Sequence, residues 1–127
     1  MNSTLSERGE APARQVRLFT CVLGYDNLLA DHCTAFTVEH DALPFTFGRA
    51  SDDAPSGLVG PSTWRTADRW ASARHCTVLS LGGADVLVDE GSRNGTWLNG
   101  QRLARQHPLA DGDLFEVGHT LWCYQIG

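Results

Sequence analysis

The sequence of 127 residues predicts an all-β fold, in which short antiparallel strands form either a sandwich of two sheets or a barrel. Three observations lead to this prediction. Short runs rich in β-branched and aromatic residues recur along the chain, and Gly, Asn and Asp turns separate them. No segment shows the apolar period of a helix longer than one turn, so no substantial helix is expected.

Length and composition predict one domain. The chain is long enough to bury a single core but too short for two. Residues 1–15 are polar with little periodicity and are predicted to be a disordered N-terminal tail, and residues 16–127 to be the domain. Hydrophobic residues make up 42% of the chain and no apolar run approaches a membrane span. The first residues also lack the apolar segment of a secretory signal, so a cytoplasmic protein is expected.

The N-terminal half of the domain carries three predicted strands and one long connection. A β-branched and aromatic run predicts a strand at residues 16–23, and alternating polar and apolar side chains predict two more at 34–39 and 45–47. Pro44 marks the start or edge of the third strand. Residues 50–71 contain Ser, Asp, Pro and Gly, which predicts an unusually long loop of the kind that often carries function.

The C-terminal half carries the strongest turn signals. Asn99-Gly100 is the preferred pair for a two-residue hairpin turn, and Asn94-Gly95 suits a backbone that must visit positive φ. Six short strands are predicted between such turns, at residues 75–81, 85–88, 96–98, 101–103, 114–117 and 120–126. Trp97, in the third of these, is expected in the core.

The charge of the chain argues against nucleic-acid binding. The formal net charge is -5, whereas affinity for a phosphate backbone needs a basic surface. Apart from histidine, every basic residue is arginine, because the chain contains no lysine. Arginine suits bidentate phosphate contact, but an arginine-rich chain without lysine is also typical of a high-GC bacterial genome.

The four cysteines, Cys21, Cys33, Cys76 and Cys123, are widely spaced and form no Cys-x-x-Cys pair. Reduced thiols are therefore expected, and neither a metal site nor a cofactor is predicted. Asp111 and Asp113 flank Gly112, but too few oxygen ligands follow for a calcium loop, so a tight turn is expected there.

Four motifs occur in a recognisable order. Phe45-Thr46-Phe47-Gly48-Arg49 is followed by Ser72-Ala73-Arg74-His75, then by Ser92-Arg93-Asn94-Gly95-Thr96-Trp97-Leu98-Asn99-Gly100, and then by a tail with Gly112-Asp113 and Val117-Gly118. In this order they resemble the forkhead-associated (FHA) domain family, whose members bind phosphothreonine peptides. The resemblance covers nearly the whole chain and selects the two-sheet sandwich over the barrel.

The resemblance implies a role for each matched residue. Arg49 and Ser72 match the arginine and serine that contact the phosphate, and Arg93 occupies a position that often adds a phosphate contact. Asn94 matches the asparagine that holds the ligand backbone. His75 matches a histidine that braces the loops without touching ligand.

Glycines and a departure from the family pattern complete the predicted site. Gly48 and Gly95 are expected to support the loops beside His75. The residue after the serine is often arginine or another polar residue in the family, but Ala73 stands there and the arginine is displaced to Arg74. Possible selectivity residues are Trp64, Arg69 and Trp70 in the long loop, together with Arg74, since Trp and Arg are common at binding hot spots.

The sequence therefore predicts a non-catalytic adaptor that recognises phosphothreonine on a partner modified by a Ser/Thr kinase, without nucleic-acid binding or membrane insertion. Two alternatives stay open. The same sandwich would serve as a phosphate-independent scaffold or self-association domain, an idea that Ala73 and the long loop motivate. Ser72 and His75 would alternatively act as a hydrolase pair, although no carboxylate that would orient the histidine is identifiable.

Overall fold

The structure is a computed structural model that describes residues 16–24 and 34–127. The predicted tail at residues 1–15 and Cys33 lie outside the described residues. In chain order the strands are β1 (Val16–Leu23), β2 (Ala35–Glu39), β3 (Phe45–Arg49), β4 (Gly57–Val59), β5 (Thr63–Thr66), β6 (Cys76–Leu81), β7 (Ala84–Asp89), β8 (Thr96–Leu98), β9 (Gln101–Arg102), β10 (Gln106–Pro108), β11 (Leu114–Val117) and β12 (Thr120–Ile126). A 3-10 turn, His40–Ala42, follows β2.

The strands form two six-stranded sheets that pack face to face. The first sheet has the order β2-β1-β12-β11-β8-β9, and the second has the order β10-β7-β6-β3-β5-β4. The all-β sandwich predicted from the sequence is therefore confirmed. All neighbouring strands pair antiparallel except β3 and β5, which pair in parallel.

Nine of the strands are those that the sequence predicts, with bounds that differ by at most two residues. The segments missed are β4, β5 and β10. All three residues of β10 are exposed and include Pro108, so β10 lacks the apolar alternation on which strand prediction depends.

The interpretation of residues 50–71 as one long loop is wrong, because β4 and β5 lie within them. A parallel pair of strands needs a crossover of about a dozen residues, and residues 50–62 form the crossover from β3 to β5. Within β5, Trp64 and Thr66 point inward while Thr63 and Arg65 are half-exposed. That alternation was present in the sequence, but the strand is only four residues long and flanking Gly and Pro residues obscure it.

Aromatic side chains fill the space between the sheets. All five phenylalanines of the chain are buried there, together with two tryptophans and one tyrosine, namely Phe19, Phe36, Phe45, Phe47, Phe115, Trp64, Trp122 and Tyr124. The ring of Phe19 lies at the centre, with five other aromatic rings at centroid distances of 5.4 to 6.1 Å. The two sheets therefore share one continuous core, which gives the loops at its ends a rigid base.

One buried ion pair crosses this core. Arg17 on β1 donates from Nε to Asp85 Oδ2 at 2.7 Å and from Nη2 to Oδ1 at 2.9 Å. Tyr124 on β12 donates its hydroxyl proton to the same carboxylate. Burial opposes ionisation of Asp85, but the hydrogen bonds from Arg17 and Tyr124 outweigh it and hold the pKa of the carboxyl below its usual value. Both hydrogen-bond partners belong to the first sheet and Asp85 to the second, so the contact joins the sheets.

We expect Asp85→Ala to lower the free energy of unfolding by about 3 to 5 kcal/mol, because it leaves the buried Arg17 guanidinium uncompensated. Tyr124→Phe removes only one hydrogen bond to the carboxylate and should cost about 2 kcal/mol. Urea denaturation followed by tryptophan fluorescence measures both. An Asp85→Ala protein that is less perturbed than Tyr124→Phe would show that the ion pair does not hold the sheets together.

Candidate functional site

Three loops meet at one end of the sandwich. β3 ends at Arg49, residues 72–75 lead into β6, and residues 90–95 connect β7 to β8. Both β3 and β7 pair antiparallel with β6, so the end of β3, the start of β6 and the end of β7 lie on one side. Arg49 with residues 72–75 and 90–95 is called the loop cluster below.

The first two loops touch through their backbones at Gly48. The Arg49 N–H donates to Ser72 O at 2.9 Å, and the His75 N–H donates to Phe47 O at 2.9 Å. A Cβ atom at residue 48 would lie 2.0 Å from Ala73 O, a distance that no side chain tolerates. Glycine at this position therefore permits the close approach that places Arg49 beside Ser72.

His75 is fully buried and joins the second loop to the third. Its Nδ1 accepts from the Ser72 N–H at 3.0 Å, and its Nε2 lies 2.9 Å from Gly95 O. Because the backbone N–H can only donate, Nδ1 must be unprotonated, so Nε2 carries the proton that Gly95 O accepts. Burial lowers the pKa of His75, which favours this neutral form.

Ser72 extends the bracing from its side chain. Ser72 Oγ accepts from the Arg93 N–H at 2.9 Å, while its own hydroxyl proton has no acceptor among the described residues. The backbone N–H groups of Ala73 and Arg74 likewise donate to none of the residues that the structure describes. A hydroxyl donor and two amide donors are therefore available at this loop. Residue 73 offers a donor only from its backbone, because its alanine side chain has none.

The guanidinium groups around the loop cluster form few ion pairs with carboxylates of the described residues. Arg49 Nη1 donates to Ala71 O at 2.9 Å, and neither Arg49 nor Arg93 forms an ion pair with a described residue. Arg74 lies 3.5 Å from Glu90, but its side chain is largely exposed, so this pair is weak. Arg49 also lines an open depression of about 400 Å³ that it shares with Arg69 and with Asp52 and Asp68, neither of which forms an ion pair with it. The cluster therefore presents unsatisfied cationic donors to solvent.

Asp89, which the sequence reasoning missed, holds the third loop. Its carboxylate accepts from the hydroxyls of Ser92 and Thr96 and from the backbone N–H groups of Gly91 and Ser92. Burial opposes its ionisation, but the hydrogen bonds led by those from Ser92 and Thr96 keep the pKa of Asp89 below its usual value. The sequence signal was an Asp followed two and three residues later by loop residues, which is the pattern of an Asx turn.

Asn94 lies on the exposed side of the third loop. Its Nδ2 donates to Trp70 O at 2.8 Å, and its Oδ1 accepts from no described residue. Trp97 Nε1 donates to Asn94 O at 3.3 Å. The expectation that Trp97 is a core residue is wrong, because its side chain is 37% exposed while Thr96 and Leu98 point inward. Asn94 therefore joins the backbone of Trp70 to the indole of Trp97.

Trp70 belongs to a second aromatic contact beside the loop cluster. Its indole stacks on the imidazole of His119 at 4.8 Å, and the Arg69 guanidinium lies 5.7 Å from the indole centre. The buried Asp68 fixes this arrangement, since it accepts from the backbone N–H groups of Trp70 and His119 and from the Thr120 hydroxyl. The sequence analysis proposed Arg69 and Trp70 as selectivity residues, but it did not single out Asp68 or His119.

Trp64, predicted as a selectivity residue, does not lie at this surface. Its side chain is only 7% exposed, and its indole stacks on Phe36 at 4.9 Å and meets Trp122 edge to face. This prediction is wrong because residue 64 points inward from β5, a strand that the sequence analysis took for loop.

The geometry does not support a hydrolase pair. Both ring nitrogens of His75 are bonded to backbone groups, and Ser72 Oγ is bonded to the Arg93 N–H rather than to the imidazole. A serine nucleophile needs a hydrogen bond to its general base, and this serine has none.

Sequence comparison then identifies the family. A sequence model of the FHA domain matches residues 45–118, which is more than half of the chain and includes all three loops of the cluster. This chain belongs to the FHA domain family. No curated protein matches it significantly.

Solved FHA domains share the fold of this one. The solution structure of the FHA domain of an Arabidopsis thaliana hypothetical protein has a TM-score of 0.68 at 23% identity, covering 94% of this chain and 92% of that one. A structure from work on phosphothreonine-dependent FHA domain interactions has a TM-score of 0.65 at 21% identity, covering 88% and 97%. Mycobacterium tuberculosis EmbR, in complex with a low-affinity phosphopeptide, has a TM-score of 0.62 at 18% identity, covering 88% and 24%. At these identities the similarity shows the fold.

Two further findings concern the described part of the FHA domain. No group of three or more His, Cys, Asp or Glu residues there is arranged to hold a metal ion. No helix there has the length and apolar character needed to cross a membrane.

The buried His75 should make stability depend on pH. Its pKa is lowered in the folded protein, whereas in the unfolded chain it is about 6.5. The unfolded chain therefore takes up a proton that the folded protein rejects. The contribution of His75 to stability is complete above about pH 6.5 and is lost as the pH falls toward the lowered pKa.

Urea denaturation between pH 7.5 and 5 tests this expectation, with His75→Asn as the comparison. Asn retains an acceptor for the Ser72 N–H but does not titrate, so the variant should lack the part of the slope that His75 causes. The other histidines and the carboxylates are common to both proteins. Parallel pH profiles for the two proteins would show that His75 does not titrate as the structure implies.

Proposed function

We propose that this FHA domain binds phosphothreonine within an extended peptide and has no catalytic role. The observation that carries the proposal is the loop cluster itself. Its neutral imidazole and its backbone contacts hold the loops together, while Arg49, Arg93 and the Ser72 hydroxyl keep donors without carboxylate partners in the described residues. Such a set suits a dianionic phosphate better than a neutral ligand.

Arg49 and Ser72 are the proposed primary phosphate contacts. The guanidinium uses one nitrogen for Ala71 O, which fixes its position and leaves its other donors for two phosphate oxygens. The Ser72 hydroxyl and the N–H groups of Ala73 and Arg74 add neutral donors. The two amides supply a contact that the alanine side chain at residue 73 does not.

Asn94 is the proposed contact to the peptide backbone. Its Nδ2 is held by Trp70 O, so the side chain is oriented before ligand arrives. Its Oδ1 is then available to accept from a backbone N–H of an extended peptide. Trp70 contacts Asn94 through its carbonyl, Arg69 lies over the Trp70 indole, and Arg74 belongs to the loop cluster. These three residues are proposed to set the preference for residues that flank phosphothreonine.

The similar structures support the proposal by analogy. One comes from a study of phosphothreonine-dependent FHA domain interactions, and EmbR was solved with a phosphopeptide. By extension, the partner of this domain is a protein phosphorylated by a Ser/Thr kinase, and the domain acts as an adaptor in such signalling. A cytoplasmic location fits this role. The free thiols of Cys76 and Cys123 agree with such a reducing compartment.

The expected affinity is modest. Charge-assisted hydrogen bonds contribute roughly 1.5 to 3 kcal/mol each. Two or three of them, reduced by the cost of ordering a flexible peptide, correspond to a Kd of about 1 μM. Binding of this strength allows an adaptor to release its partner when the phosphate is removed.

Arg49→Ala should weaken binding to a pool of phosphothreonine peptides by about 30-fold or more, because it removes the proposed main charge on the phosphate. Isothermal titration of the full chain measures this change, with the unphosphorylated pool as reference. Arg49→Lys keeps the charge without the planar fork and should give an intermediate loss.

The matched control is Arg105→Ala, which removes an equal charge from an exposed arginine outside the loop cluster and should bind normally. Unchanged affinity in a folded Arg49→Ala protein would refute the mechanism. A partner complex indifferent to phosphatase treatment would favour the phosphate-independent scaffold instead.

A further inference from the structure

The end of the sandwich opposite the loop cluster holds a groove between two sheet edges. β2 is the edge strand of the first sheet and β4 is the edge strand of the second. The stacked rings of Phe36 and Trp64 close the core just inside these edges. Outside this stack lies an open groove of about 400 Å³, called the edge groove, lined by Thr37, Val38, Glu39, Asp41, Ala42, Leu58, Gly60 and Pro61.

The edge groove is separate from the phosphate site. β3 and β5 run in parallel from the groove end, where residues 42–44 and 60–62 precede them, to the cluster end, where Arg49 and Thr66 close them. The five residues of β3 span roughly 13 to 17 Å at about 3.3 Å per residue. A single peptide residue therefore cannot contact both the edge groove and the loop cluster.

The β4 edge is short, at three residues, but carries no other feature by which proteins protect free strands. Leu58 is 50% exposed and Val59 is 43% exposed, and no charged residue interrupts the strand. Exposed edges are commonly blunted by charged side chains or covered by another element, because unpaired backbone groups and apolar side chains invite pairing. In the described part of the chain, nothing pairs with the outer side of β4.

The opposite wall of the groove is acidic. Glu39 ends β2 and Asp41 lies in the following turn, and both side chains are exposed. Neither forms an ion pair with a described residue. Leu58 pairs in register with the inward-pointing Trp64, so its side chain faces the groove that Glu39 and Asp41 also line. The groove is therefore complementary to an extended segment that presents both apolar and basic side chains on one face.

We propose that the edge groove is a second peptide-binding site, which takes an extended, unphosphorylated segment that carries both apolar residues and arginine or lysine on the face that enters the groove. The segment adds to the free edge of β4, places its apolar side chains against Leu58, and pairs its basic side chains with Glu39 and Asp41. This site does not depend on phosphate and acts alongside the loop cluster. The edge groove prefers a cationic ligand, whereas the loop cluster is proposed to prefer an anionic one.

An unphosphorylated random peptide library displayed on phage, selected on the full chain, tests the proposal. We expect enrichment of peptides in which an apolar residue and Arg or Lys lie two positions apart, on the same face of an extended segment. A synthetic enriched peptide should bind Glu39→Gln/Asp41→Asn about fivefold to tenfold more weakly, since each exposed charge contributes modestly. Leu58→Ser, at an exposed position that folding tolerates, should weaken it as well.

Two matched proteins separate the edge groove from other surfaces. Asp52→Asn/Asp53→Asn changes the net charge equally at exposed carboxylates beyond β3, and Arg49→Ala disables the proposed phosphate site. Both should bind the enriched peptide as the parent does. Binding that is lost in Arg49→Ala, or equal in every variant, would overturn the proposal, and so would the absence of enrichment.

Two other occupants give distinct results that would also overturn it. A synthetic peptide of residues 1–15 that outcompetes the enriched peptide would assign the edge groove to the chain's own N-terminal segment. A dimer in sedimentation that dissociates in Leu58→Ser would assign it to a second copy.

Discussion

The neutral imidazole of His75 is the contact on which the geometry of the FHA loop cluster depends. A ring that accepts at one nitrogen and donates at the other can join two backbone groups of opposite polarity at a fixed separation. Here those groups are Ser72 N–H, at the entrance to β6 of the second sheet, and Gly95 O, at the entrance to β8 of the first. The histidine therefore ties together loops from both sheets. Once they are tied, Ser72 Oγ meets the Arg93 N–H, and the serine and both proposed arginines belong to one rigid surface.

Three carboxylates provide the rest of the rigidity, of which Asp68 and Asp85 are buried and Asp89 is half-buried. Asp89 gathers four donors around the third loop, Asp68 fixes Trp70 against His119, and Asp85 joins the sheets through Arg17. A buried carboxylate is costly unless its hydrogen bonds are satisfied, so each one permits only a narrow set of loop conformations. The aromatic core supplies the free energy that offsets this cost. The aromatic core thus supplies the stability of the sandwich, and the carboxylates fix the conformation of its loops.

The sequence predicts the strands of this domain better than the direction of their side chains. Long alternating runs and Asn-Gly turns specify most strands, since those signals are local. Trp64 and Trp97 were both assigned to the wrong environment, because in strands of three or four residues the inward face is set by pairing with remote strands. The role of Asp68 could not be predicted for a similar reason. His119 and Thr120, to which it is hydrogen-bonded, lie more than 50 residues away in sequence. The family motifs predict Arg49 and Ser72 as phosphate contacts without that information.

The overall charge of the chain and its local chemistry point in opposite directions, and distance decides which one governs binding. A net charge of -5 repels an anionic ligand at long range, but at physiological ionic strength this repulsion fades over about 8 Å. Within hydrogen-bond distance of the proposed phosphate site, the donors of Arg49 and Ser72 would dominate because they are fixed before ligand arrives. An acidic protein with such a cluster gains little from electrostatic steering, so the proposed discrimination between phosphorylated and unmodified peptides would have to come from contact geometry. The close backbone packing at Gly48 and the bracing by His75 are therefore as important to recognition as the charges that they position.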